Sequence, residues 1–114
     1  MTSSALDRSI LDRLGTALGD KTGAFCGRLI TAYLNQAHVL VREIEAAHVN
    51  EDLAALTFTA HTLKGSSGTV GGLRLAELCA ELERWVGSPL NAGSLVNAIR
   101  LEAEALDKDL AAYS

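Results

Sequence analysis

Residues 60 to 83 read Ala60-His61-Thr62-Leu63-Lys64-Gly65-Ser66-Ser67-Gly68-Thr69-Val70-Gly71-Gly72-Leu73-Arg74-Leu75-Ala76-Glu77-Leu78-Cys79-Ala80-Glu81-Leu82-Glu83. Apolar residues recur at three- and four-residue steps on both sides of a glycine-rich break. Downstream, Leu75, Leu78, Cys79, Leu82 and then Val86 mark the inner face of a helix from about Gly72 to Val86. Upstream, Leu53, Leu56, Ala60 and Leu63 keep the same period, which belongs to a helix and not to a strand. Gly68, Thr69, Val70, Gly71 and Gly72 separate the two stretches. Helices joined by so short a link lie antiparallel.

The rest of the chain repeats this pattern. Asn50 reads as the N-cap of the upstream helix, with Glu51 and Asp52 in its first turn, where acids favour the helix dipole. That helix is predicted to end near Ser67. Before it, Phe25, Leu29, Tyr33, Ala37, Val41 and Ile44 trace a long helix from about Thr22 to Ala47, with Asp20 or Lys21 near its start. About 26 residues would span roughly 39 Å, although Gly23 and Gly27 weaken the first turns. A short helix from about Ala5 to Leu14 carries Leu6, Ile10, Leu11 and Leu14, with Ser4 as N-cap and Asp7 in a capping-box position. After the quoted stretch, Gly87, Ser88, Pro89 and Leu90 stop the fourth helix. Ser94 caps a last one that runs to about Ala112, with Leu95, Ile99, Leu106 and Leu110 inward. The expected fold is all-α: an antiparallel up-down-up-down four-helix bundle with a short extra N-terminal helix packed across one end. No repeat, low-complexity tract or linker divides residues 1–114, which read as a single domain. A start at Met1 and an end just past the last helix suit a stand-alone module, and an excised domain of a hybrid kinase would look the same.

Composition agrees. Leu (19) and Ala (18) form about a third of the 114 residues, with one Pro and only 4% aromatics, whereas strands favour β-branched and aromatic residues. A net charge of −4 argues against nucleic-acid binding, which needs a basic face, and against an anionic membrane surface. No apolar run approaches a membrane span, and the N-terminus lacks the basic and apolar regions of a secretory signal. A cytoplasmic location is expected. Two cysteines, Cys26 and Cys79, are too few for a disulfide framework or a structural zinc site. They read as packed thiols, Cys79 with no evident cationic neighbour to activate it. Glu45-Ala-Ala-His48 has the Glu-x-x-His spacing of carboxylate-bridged bundle sites, but those need two such pairs and further carboxylates. No metal is expected. His38 and His48 read as ordinary surface or helix-end residues, and Trp85 as packing near one end of the bundle.

His61 does not fit a bland bundle. On a helical wheel, Leu63, Leu56, Ala60 and Leu53 fall between about 200° and 280° from it, so His61 faces solvent. Its neighbours within two turns are Ala54, Thr57, Lys64, Gly65 and Gly68. A glycine inside a helix loses roughly 1 kcal/mol relative to alanine, so Gly65 is not there for stability. Small residues leave the imidazole open to a second macromolecule. Lys64, three residues on, can swing toward an anion held by the ring. An imidazole is partly neutral and nucleophilic at physiological pH, which suits transient phosphorylation of a ring nitrogen.

The quoted stretch resembles the signature of histidine-containing phosphotransfer (HPt) domains of multistep two-component phosphorelays. The resemblance rests on His61-Thr62-Leu63-Lys64-Gly65-Ser66-Ser67, on Gly71 ten residues after the histidine, and on Leu75, Cys79 and Leu82-Glu83. Gly72, often alanine in that family, is a mild departure. The resemblance implies that His61 carries the phosphoryl group, that Lys64 supports it electrostatically, and that Gly65 and Gly68 admit the partner. Ser66 and Ser67 are then small packing positions. It implies a phosphoryl carrier and not a kinase, consistent with the absence of a nucleotide loop. The partners implied are response-regulator receiver domains or a hybrid histidine kinase. The receiver supplies the phospho-aspartate, the Mg²⁺ and an acidic pocket, so the chain needs no cofactor of its own. The docking surface expected around His61 comprises Ala54, Thr57, Phe58, Lys64, Gly65 and Gly68. Phe58, about 60° from His61 on the wheel, is either an exposed anchor or a side chain tucked under the first helix. A monomer is expected. The rival reading is an interaction module that binds receivers or other helices without taking phosphate.

Overall fold

The computed structural model describes residues 5–85 and 92–113. Within them lie five helices: α1 (Arg8–Ala17), α2 (Ala24–Val49), α3 (Leu53–Val70), α4 (Leu73–Glu83) and α5 (Gly93–Ala112). Every regular element among the described residues is helical. Helix α2 packs on α3, α3 on α4, α4 on α5 and α5 back on α2, while α1 lies against α2 and α3. This is the expected four-helix bundle with its short N-terminal helix.

The core runs down the middle of those four helices. Leu11, Ile44, Leu56, Leu63, Leu75, Leu82, Ile99 and Leu106 are fully buried. Each such side chain contributes about 1.5–3 kcal/mol of transfer free energy. Two faces are turned from their expected direction. On α2, Cys26, Ile30, Tyr33, Ala37, Leu40, Ile44 and Ala47 are buried, whereas Phe25 is exposed and Leu29 and Val41 are half-buried. On α3, Leu53 stands exposed in the first turn, and Thr59 is buried in its stead. A long amphipathic helix that touches partners on two sides buries a stripe wider than one arc of leucines.

Most boundaries shift because a cap lies elsewhere. Asp7, not Ser4, caps α1: its carboxylate accepts from Ser9 N at 3.1 Å and Ser9 Oγ at 2.6 Å; Ser4 itself lies outside the described residues. Asp7 N donates to Gly71 O at 2.8 Å, which holds this stretch against the α3–α4 turn and delays the helix. Gly23 stands at the N-cap of α2, and Asp20 accepts from the first-turn amides Phe25 N and Cys26 N, both at 3.1 Å. Asn50 is the C-cap of α2 and not the N-cap of α3. Asp52 takes that role and accepts from Ala55 N at 3.1 Å, after Glu51 turns the chain at φ 56°. Helix α5 starts at Gly93 with Ala92 in the cap position, so Ser94 lies inside the helix. Val86 and Gly87 to Leu90 lie outside the described residues.

The glycine-rich break is narrower than its composition suggests. Helix α3 continues through Gly68 and Thr69 to Val70, with Thr69 Oγ1 donating to Gly65 O at 2.9 Å. Only Gly71 and Gly72 turn the chain. Gly71 has φ 96°, and a Cβ there would lie 2.6 Å from Asp7 O, so the position admits no side chain. At Gly72 a Cβ would meet Leu106 Cδ2 at 2.5 Å. Leu106 thus packs against the Gly72 backbone, in the space a side chain there would need. This tight turn lays α4 beside α3 in a fixed register.

Candidate functional site

His61 projects from the middle of α3, its side chain 66% exposed. One turn on, Lys64 is half-buried between α3 and α4. Glu83, the last residue of α4, reaches both. Its Oε2 lies 2.7 Å from His61 Nδ1, and its Oε1 accepts from Lys64 Nζ at 2.7 Å. An ionised carboxylate only accepts hydrogen bonds, so the proton of a neutral His61 ring sits on Nδ1. That leaves the Nε2 lone pair available, and no hydrogen bond occupies Nε2 among the described residues.

The hydrogen bond from Lys64, and after it that from His61, hold the Glu83 carboxyl below its ordinary value of 4.5. A carboxyl depressed in the folded state adds stability above its ordinary value and loses it as pH falls through the folded value. Urea midpoints of the wild type and Glu83→Gln are therefore expected to differ most above pH 4.5 and to converge as the solution is acidified below it. A gap that persists unchanged in acid would contradict the ionised pairing.

The surroundings of the ring are open. A Cβ at Gly65 or Gly68 would meet nothing within 4 Å. Ala54 is exposed and Thr57 half-buried, with Thr57 Oγ1 bonded back to Leu53 O at 3.0 Å. Phe58 is 73% exposed, which selects the outward of its two possible placements. The face therefore gathers Ala54, Thr57, Phe58, His61, Lys64, Gly65 and Gly68 as the wheel expects. The two serines point elsewhere. Ser67 is buried and donates to Leu63 O at 2.7 Å, and Ser66 donates to Gln36 Oε1 of α2 at 2.9 Å; both serve packing.

Glu83 is the residue that sequence reasoning passed over. It entered only as the close of a motif, 22 positions from His61. A signal was present: His61 stands ten residues before Gly71 and Glu83 twelve after it, so folding about that turn brings them level.

The other titratable groups make no second centre. Burial pushes the Cys79 thiol up to about 12, against an opposing pull from Lys64. A cationic neighbour does exist, but desolvation outweighs it. Cys26 is likewise raised by burial. His38 Nε2 lies 3.8 Å from Asp107 Oδ2 on the α2–α5 seam, and His48 is half-buried against Gly93. Among the described residues no three His, Cys, Asp or Glu side chains converge to hold a metal. Among the same residues no helix is long and apolar enough to cross a membrane.

Comparison with known proteins agrees with this fold. The family model of the Hpt domain matches residues 28–113. The chain is 27% identical over 112 residues to "Multistep phosphorelay regulator 1" of Schizosaccharomyces pombe, a match that covers 96% of this chain and 36% of that protein. The chain thus spans about a third of the length of that relative. Its structure superimposes on that of histidine-containing phosphotransfer protein B (HptB) from Pseudomonas aeruginosa PAO1 with a TM-score of 0.78 and 25% identity, covering 96% of this chain and 93% of the other. The chain belongs to the Hpt domain family.

Proposed function

We propose that His61 accepts a phosphoryl group from the aspartyl phosphate of a receiver domain and passes it to, or back to, another receiver aspartate in a multistep phosphorelay. The observation that carries this reading is the exposed His61 ring, tied by Nδ1 to Glu83 with Nε2 unoccupied. In the step, the Nε2 lone pair forms the N–P bond while the P–O bond breaks, and its electron pair leaves with the aspartate carboxylate. The product ring keeps its Nδ1 proton and a positive charge, which faces the Glu83 carboxylate. The receiver provides the Mg²⁺ and the acidic pocket that neutralise the transferring group. This chain provides the nucleophile and a docking surface, and its partners are receiver domains or the receiver of a hybrid kinase.

The test is incubation with a phosphorylated receiver. The protein should acquire a label that is labile in acid and stable in base, and an unlabelled protein across a panel of receivers would leave a binding module without transfer.

Docking makes its own predictions. Gly65→Gln fills the open space beside the ring. It is expected to slow transfer while circular dichroism shows unchanged helicity, and an unchanged rate would count against a partner that approaches over Gly65. Phe58→Ala removes an exposed ring, so its unfolding free energy should stay within about 0.5 kcal/mol of the wild type. Its transfer rate at sub-saturating receiver should fall because an aromatic anchor is lost.

A further inference from the structure

Each helix of the four-helix bundle buries four residues or more, whereas α1 buries Leu11 alone. We propose that α1 is a strap, which opens as a unit while the bundle stays closed, and that Tyr113 is its latch. Nothing in this depends on what His61 carries.

The attachments of α1 are few and lie toward its N-terminal half. Leu11 is fully buried, and Leu6, just ahead of the helix, is nearly so. Asp7 N donates to Gly71 O at 2.8 Å, and Leu6 N donates to Asp109 Oδ2 at 3.2 Å. Tyr113 stands at the C-cap of α5. Its hydroxyl donates to Asp12 Oδ1 at 2.6 Å, and the Arg8 guanidinium lies 4.7 Å from the centre of its ring. The latch therefore joins the strap to the last helix of the bundle. The bond to Asp12 pushes the phenol up to about 12, so it keeps its proton at neutral pH. Asp12 is exposed and Tyr113 half-buried, which leaves the latch within reach of water.

The other half of α1 is looser. Arg13, Thr16 and Ala17 are exposed, as is Leu18 after them. A cleft of about 630 Å³ opens between α1, the loop that follows it and α2, lined by Gly15, Thr16, Lys21, Cys26 and Tyr113. On that side the Cys26 thiol donates to Leu11 O at 3.7 Å. The pivot is Gly19, at φ 66° with nothing within 4 Å of a Cβ built there. Beyond it, Asp20 stays with α2 through Phe25 N and Cys26 N, so the strap lifts without unwinding α2.

A segment with few buried apolar contacts and water-accessible hydrogen bonds opens at less cost than a core helix. When the strap lifts, the Gly71 carbonyl loses the Asp7 amide. The Asp7 oxygen also leaves the space where a Gly71 Cβ would lie. The strap is thus a lever on the α3–α4 turn, which sets His61 level with Glu83.

The test is native-state hydrogen exchange of the full chain, read residue by residue by NMR. The amides of Asp7, Asp12, Arg13 and Leu14 should share one protection factor, lower than that of amides in the middle of α2 to α5. Tyr113→Phe, which removes only the hydroxyl, should lower that shared factor about fivefold, the ordinary worth of one hydrogen bond. Ile99→Val trims a fully buried side chain of α5. It should lower protection in the bundle by about fivefold and leave the four strap amides unchanged, because the bundle is still folded when the strap is open. Strap amides that fall together with the bundle in Ile99→Val would overturn the proposal, since α1 would then open only when the whole chain unfolds. Protection that dwindles residue by residue along α1 would overturn the unit in favour of a fraying end. Unchanged strap protection in Tyr113→Phe would overturn the latch.

Discussion

His61→Gln is expected to take up no acid-labile label from a phosphorylated receiver while it folds as the wild type does. The loss should be complete because no other imidazole can substitute. His38 lies beside Asp107 of α5, on the seam between α2 and α5 and away from the α3–α4 pair. His48 is half-buried near the start of α5. The fold should survive because the replaced side chain is mostly in water, where substitutions usually change stability by less than about 0.5 kcal/mol. Glutamine is also a slightly better helix former than histidine, and Glu83 keeps its bond to Lys64. Circular dichroism and a urea midpoint establish the fold, and autoradiography after acid and base treatment reads the label. Retained base-stable label in this variant would place the phosphoryl group elsewhere.

The second large effect lies in the turn. Gly71→Ala should destabilise the protein by about 2–4 kcal/mol. A left-handed conformation costs a residue with a side chain roughly 1–2 kcal/mol, and strained positions carry about 1–3 kcal/mol. The new methyl group would also sit 2.6 Å from Asp7 O. Asp7 cannot simply retreat, because its amide bonds to Gly71 O at 2.8 Å and its carboxylate caps α1. Against a total stability of about 5–15 kcal/mol, this is a sizeable fraction, and a melting temperature lower by on the order of 10 °C should follow. Gly65→Ala is the control. It sits in regular helix with open space in front of it, so it should stabilise, by up to about 1 kcal/mol. Equal and small effects at the two glycines would mean that the α3–α4 turn is not the fixed hinge described here.

The contrast between these glycines also shows what the sequence reveals and where it stops. Composition treats the run from Gly68 to Gly72 as one break. The chain uses only the last two, because only there does the backbone leave the helical conformation, Gly71 at φ 96° and Gly72 at ψ 66°. Helix number, order and packing partners follow from apolar period, which long helices display many times over. Caps are harder. Ser4, Asn50 and Ser94 all have the right chemistry, yet Asp7 and Asp52 hold the caps of α1 and α3, and at α5 the cap position is taken by Ala92, which has no side-chain cap bond among the described residues. Which of several neighbouring cap-forming residues is used depends on where tertiary contacts hold the backbone. The outward direction of His61 was legible because it depends on one helix and one leucine arc. Glu83 was harder to read, because its role depends on the register between two helices: the signal lies in the spacing of the two residues about Gly71 and not in the pattern of either helix alone.

The central claim is that His61 offers Nε2 to the partner while Nδ1 stays bonded to Glu83. The most direct measurement is ¹⁵N and ³¹P NMR of the ¹⁵N-histidine-labelled protein after phosphorylation by a receiver. The account expects the ³¹P coupling on Nε2 of His61, with Nδ1 still carrying its proton. Phosphorus coupled to Nδ1, or to His38 or His48, would contradict it.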